Sequence, residues 1–157
     1  MRIIAHRGNT HGPDPATENT VATVRRVLEE TDLDVEIDVW RVDGVYLLGH
    51  DAPGEAFDVA EFDLPRVWMH AKNVEAAAAL RRDVSRASVF AHDRDAFVLT
   101  NRGRPWVYPG APATPDCVVV MPEWSDPEMA TVGECHAVCT DFPFRLQARD
   151  AGEARRL

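Results

Sequence analysis

The chain has 157 residues, 45% hydrophobic and 27% charged, enough for one soluble domain with a real core (residues 1–157) and short for two. A net charge of −9, with 26 acidic residues against 17 basic, argues against a nucleic-acid surface, which needs clustered Lys and Arg. No apolar run reaches the roughly 18 residues of a membrane span. The N-terminus leads straight into a polar motif with no room for a signal peptide, so the expected location is cytoplasmic.

Residues 2–5 are a short apolar run ending on His6-Arg7-Gly8, which predicts a buried first strand. Residues 9–17 are rich in Gly, Pro, Asn and Thr and predict a loop. Val21, Val24 and Leu28 then recur at helical spacing, predicting a helix over 18–31, capped by Thr17 or Asn19 and with Glu18 near its N-terminus. Residues 34–41 alternate: Val35, Ile37 and Val39 on one face, Glu36, Asp38 and Trp40 on the other. On an open sheet that acidic row would be solvated; inside a parallel barrel it persists only if neutralised. Asp43-Gly44 predicts a hairpin turn, and residues 45–49 return to deliver His50 beside the same row.

Residues 67–71 predict a strand ending in His70-Ala71-Lys72, after which Asn73 caps an Ala-rich helix over 74–82. Residues 88–91 predict a strand ending at His92, and 97–100 and 105–108 two more around a turn. Residues 117–121 form an apolar strand ending at Pro122-Glu123, and 126–133 allow one short helix. A last strand over 137–139 ends at Thr140-Asp141, before a charged helical or frayed tail over 145–157. The three cysteines read as reduced, small buried residues, since a zinc site would lack a fourth ligand.

Strand after strand thus ends in a residue with chemistry: His6, Glu36 and Asp38, His70 and Lys72, His92, Glu123, Asp141. That is the layout of an α/β fold, a compact TIM-type (β/α) barrel whose site lies at the C-terminal ends of its strands. Such barrels usually need about 200 residues or more. Several outer helices are therefore expected to be shortened or missing, chiefly after residue 90. Sixteen of the seventeen basic residues are Arg, and the one lysine is Lys72. A position that kept Lys against this bias suits a compact ammonium or an amine of adjustable pKa.

His6-Arg7-Gly8, Glu18-Asn19-Thr20, Glu36-Ile37-Asp38 and His50-Asp51 together supply imidazoles, a guanidinium and paired carboxylates. This is the kit for metal-assisted attack on a phosphodiester. With Ile3-Ile4-Ala5 before the first motif and Leu48-Gly49 before the last, these pieces resemble the glycerophosphodiester phosphodiesterase family, within the barrel phosphodiesterases that include phosphatidylinositol-specific phospholipases C. Lys72 resembles that family's third-strand lysine, and Cys139-Thr140-Asp141-Phe142-Pro143 resembles its closing Thr-Asp-x-Pro piece.

The resemblance implies that His6 and His50 are the acid/base pair, while Arg7 and Lys72 contact the phosphate. It implies that Glu36 and Asp38 bind one divalent cation, Mg²⁺ or Ca²⁺, with Glu18 at the metal or orienting a neighbour. His70 stands where the family carries a third carboxylate. As a ligand it would favour Mn²⁺ or Zn²⁺; alternatively Glu123 supplies the missing oxygen. Asn19, Trp40, His92, Trp106 and Tyr108 are candidate pocket residues, with core packing the alternative for Trp106 or Tyr108 and an exposed position the alternative for His92.

The expected partner is a small phosphodiester, without nucleic acid or stable membrane insertion. Two rivals are a phospholipase C- or D-like enzyme cleaving lipid head groups, and a non-enzymatic binding or assembly protein with a degraded site. The acidic charge speaks against the first, and the intact motifs against the second.

Overall fold

A computed structural model describes residues 1–154 of the chain. The elements are β1 (Arg2–Ala5), α1 (Val21–Glu30), β2 (Asp34–Val42), β3 (Val45–Leu48), β4 (Val67–Ala71) and α2 (Val74–Asp83). They continue with β5 (Ser88–Phe90), β6 (Phe97–Leu99), β7 (Pro105–Val107), β8 (Val118–Val120), β9 (Ala137–Thr140) and α3 (Pro143–Ala154). Two single turns of 3₁₀ helix, His6–Gly8 and Pro122–Trp124, follow β1 and β8.

The strands form one nine-stranded mixed sheet in the order β5-β4-β2-β1-β9-β8-β7-β6, with β3 paired to β2. β1, β2, β4, β5, β7, β8 and β9 run parallel; β3 and β6 are antiparallel hairpin partners of β2 and β7. The sheet curls into a nearly closed barrel. Its two edges meet at Asn101, in the turn after β6. The Asn101 N–H donates to the Val89 carbonyl on β5 at 2.8 Å, and its side-chain oxygen accepts from the Val89 N–H, also at 2.8 Å. One residue thus supplies both halves of a strand pairing. Val89 is buried, so Asn101→Ala strands its N–H and is expected to cost about 1–3 kcal/mol. A urea midpoint lowered at constant m-value reports this; an unchanged midpoint means the seam is held elsewhere.

Helices cover only part of this barrel. Among the described residues no α-helix lies between β5 and β9. α1 and α2 turn Val24, Val27, Ala76, Ala79 and Leu80 onto Val35, Ile37, Val39 and Met69 of the sheet. α3 seats Leu146 against Val138 and Met129. Among the described residues no helix covers β6, and Phe97 and Leu99 stay 59% and 64% exposed. The barrel floor is Ile4, Trp68, Trp106, Val118 and Ala137, of which Ile4 and Val118 each contribute about 1.5–3 kcal/mol when buried. Trp68 reaches a polar partner there, donating to Asp34 at 2.9 Å.

Two local expectations need correction. The first helix begins at Val21 rather than Glu18, and Thr20 is its cap, accepting from the Thr23 N–H at 3.3 Å. Residues 126–133 make turns, not a helix. There the Asp126 carboxylate takes the Thr131 N–H and hydroxyl at 2.7 and 2.8 Å, and Met129 adopts a left-handed φ of 53° that puts it in the core. The tail is helical through Ala154; the rest of that expectation, residues 155–157, lies outside the described residues. The cysteines are free and buried, as expected. Among the described residues, no helix is long and apolar enough to cross a membrane.

Candidate active site

β2 builds the centre of the site. Its outward residues pack under the helices, so Asp34, Glu36 and Asp38 must face the barrel interior. Register sets their neighbours: Asp38 lies beside His70 of β4, and His70 beside Phe90 of β5. Glu36, Asp38 and His70 consequently each offer a ligand atom, all within 4.8 Å of one another.

Asp38 is a hub. Its Oδ1 lies 2.8 Å from His70 Nδ1 and 3.4 Å from Lys72 Nζ. Its Oδ2 accepts from the Asn19 side chain at 2.9 Å and lies 3.3 Å from Arg7 Nε. Although burial alone would raise it, the His70 hydrogen bond and charge, with Lys72 and Asn19, hold the Asp38 carboxyl well below the usual range. Glu36 is the opposite case. It is 2% exposed, and among the described residues it accepts from the Arg7 backbone N–H at 3.2 Å and has His6 Nε2 at 4.0 Å. Burial, then the neighbouring Asp38 charge, pushes its carboxyl up.

His6 ends β1 on the 3₁₀ turn, and its Nδ1 lies 2.8 Å from Asp141 at the end of β9. Burial opposes its protonation, but the Asp141 hydrogen bond and the Glu36 and Asp141 charges outweigh it and raise its pKa. Arg7 has a left-handed φ of 52°, which turns the chain so that its guanidinium enters the site. Gly8 follows at φ 78°, where a Cβ would sit 2.6 Å from the Thr23 methyl, so a side chain is barred twice over.

Arg7 Nη1 donates to Glu18 at 2.9 Å, and Glu18 and Asp141 both accept from Asn9 at 2.9 Å. A polar chain therefore runs from His6 through Asp141, Asn9, Glu18 and Arg7 to Asp38. His50 enters from beyond β3. Gly49, at φ 149°, makes the bend, where a Cβ would meet the Ala52 carbonyl oxygen at 2.1 Å. The Nδ1 of His50 then faces the Asp51 carboxylate at 2.7 Å.

A cavity of about 310 Å³ opens at this end of the barrel. Of the residues expected at the site, His6, Arg7, Glu36, Asp38, His50, His70, Lys72, His92, Trp106 and Tyr108 line it. Four others do not. Glu123, expected as a possible ligand, is bound to β9: its Oε1 accepts from the Thr140 hydroxyl at 2.7 Å and the Asp141 N–H at 2.8 Å. Glu18 orients Arg7 rather than joining the donor cluster. Asn19, expected in the substrate pocket, clamps β2 by also accepting from the Asp38 N–H at 3.0 Å. Trp40, expected as a wall, instead donates to the Gly49 carbonyl at 2.6 Å and so pins the bend that presents His50.

Sequence reasoning left Asp141, Asn9, Phe90, Met121 and Trp124 out of the site. Only Asp141 carried a signal, as the acidic end of the last strand. Phe90 stacks on His70 (5.0 Å, 7°) and Trp106 (4.2 Å, 27°), and Tyr108 stacks on His92 (3.4 Å, 18°).

Comparison with protein-family models, curated proteins and solved structures finds no match to the chain.

Proposed function

We propose that the chain is a shortened TIM-type (β/α) barrel of the glycerophosphodiester phosphodiesterase kind, hydrolysing a phosphodiester with one divalent cation. The supporting observation is the convergence of Glu36, Asp38 and His70 beside Arg7, Lys72 and His6. Consecutive parallel strands lying side by side around the sheet, with the site at their C-terminal ends, support the barrel reading.

The donor set fits a cation. Asp38 is neutralised by neighbouring side chains, but buried Glu36 meets a counter-charge no closer than the His6 imidazole at 4.0 Å, an arrangement a bound ion relieves. Glu36, Asp38 and His70 would hold it, supplying Lewis-acid polarisation of a phosphoryl oxygen. Arg7 and Lys72 offset the remaining phosphoryl charge. One of His6 and His50 takes the proton of the attacking hydroxyl as its oxygen bonds to phosphorus. The other gives a proton to the departing ester oxygen. The attacker is water or, where the substrate carries a neighbouring hydroxyl, that hydroxyl, which then yields a cyclic phosphate. Buried Asp141 fixes the His6 imidazole through its Nδ1, while exposed Asp51 faces the Nδ1 of His50.

The imidazole among the ligands sets the expected metal preference. After EDTA, turnover of bis(p-nitrophenyl) phosphate and of glycerophosphodiesters should return best with Mn²⁺ or Zn²⁺, less with Mg²⁺ and least with Ca²⁺. Full recovery with Ca²⁺ alone would exclude His70 as a ligand. No turnover with any of the four ions overturns the enzyme reading.

A further inference from the structure

We propose that the wall of the cavity built by β5, β7, β8 and the turn after β8 is a subsite for an aromatic ring, with Trp124 as its specificity residue. The substrate would then be a phosphodiester carrying an aromatic group on one ester arm. This rests on the phosphodiester reading above and narrows it.

The cavity is divided by element. Its charged residues come mainly from the β1, β2 and β4 ends, whereas Phe90, Trp106, Tyr108, Val120, Met121 and Trp124 come from the other side. A phosphodiester has one charged centre and two neutral arms, and the charged side already matches the centre. On that side the polar groups, His92, Asp93 and the Tyr108 hydroxyl, follow β5 and β7, while Val120, Met121 and Trp124 at the end of β8 leave a stretch where the hydroxyls of a glycerol arm would find no side-chain partner. Phe90, enclosed between His70 and Trp106, backs this wall, and the rings an aromatic arm meets are Tyr108, held by its stack on His92, and exposed Trp124.

Trp124 supports this independently. It lines the cavity and is 71% exposed, so its indole is open to a ligand there. It does not hang on a slack loop. Met121 starts the turn in the left-handed region at φ 47°, and the Trp124 N–H closes it onto the Met121 carbonyl at 3.1 Å. Beneath, buried Glu123 ties the turn to β9 through Thr140 and the Asp141 N–H. The backbone that carries the indole is therefore fixed before any ligand arrives, which lowers the ordering cost of binding.

The test is calorimetric titration with phenyl phosphate and with glycerol 3-phosphate, in EDTA and with Mn²⁺ restored. Phenyl phosphate should bind about tenfold more tightly, the gap closing in Trp124→Ala and largely returning in Trp124→Phe. Equal affinity of the two monoesters in the wild-type protein overturns the aromatic subsite and leaves the phosphodiester reading standing. A gap that survives Trp124→Ala overturns the role of Trp124. Binding of neither monoester, together with no phosphodiester turnover, overturns the underlying reading and this one with it.

Discussion

Asp38→Ala is expected to abolish phosphodiester turnover and to destabilise the protein by about 3–5 kcal/mol, the usual cost of removing one partner of a buried ionic cluster. Asp38 is 1% exposed and is shared by His70, Lys72, Arg7 and Asn19. Without it Lys72 loses the carboxylate it pairs with, and Arg7 keeps Glu18 but loses its second. In a domain of this size the loss corresponds to a melting temperature lower by roughly 6–20 °C.

Glu36→Gln should behave differently although it lies two residues away. It also removes a ligand and should end turnover, but in EDTA it should leave the melting temperature unchanged or raise it. The reason is that the Glu36 charge is penalised first by burial and then by Asp38, against one hydrogen bond from the Arg7 N–H and the His6 imidazole at 4.0 Å. Thermal denaturation of both variants in EDTA separates the two carboxylates. Equal destabilisation by both would refute the account of Glu36 as the uncompensated charge.

His6→Ala should lower kcat by about a hundred- to ten-thousand-fold, the usual range for a general acid or base. The informative companion is Asp141→Asn, which keeps the shape but removes the carboxylate charge. Burial, the largest influence on His6, lowers its pKa, and the Asp141 bond and charges reverse that. The substitution should therefore move the His6 titration down, and the matching limb of the kcat/KM profile with it.

The effect on stability has a definite sign. A histidine raised on folding contributes stability fully below its unfolded value of 6.5 and loses it as pH rises through the folded one. Stability of the wild-type protein over Asp141→Asn should therefore shrink across that window. Proton NMR of the imidazole follows the titration directly, and a His6 titration unmoved by Asp141→Asn would remove Asp141 from its orienting role.

The sequence carried much of this site because β2 is an unusually plain strand. Val35, Ile37 and Val39 alternating with Glu36 and Asp38 leave one consistent inward face once the neighbouring strands are parallel. What it did not carry were distances between strand ends. Glu123 and Asp141 both follow apolar strands and look equivalent along the chain. Only the fold shows that one anchors a turn and the other holds an imidazole. Trp40 shares its strand face with the carboxylates but lies past the rim, where the β2–β3 hairpin diverts it to Gly49. The short helix expected over 126–133 failed for a local reason, since Asp126 satisfies Thr131 and Met129 turns left-handed. Seven or eight residues hold too little periodic pattern to reveal that.

The solitary lysine makes the molecule its own reporter. Lys72 lies 3.4 Å from Asp38 on the cavity wall, and every other basic side chain of the chain is an arginine or a histidine. Apart from the terminal amine, an amine-directed reagent has one side chain to modify, and that one is inside the site. The speed with which a probe acylates it, with and without a candidate ligand, reads occupancy of the cavity by mass alone. No engineered label is needed, because a composition bias has already cleared the rest of the surface.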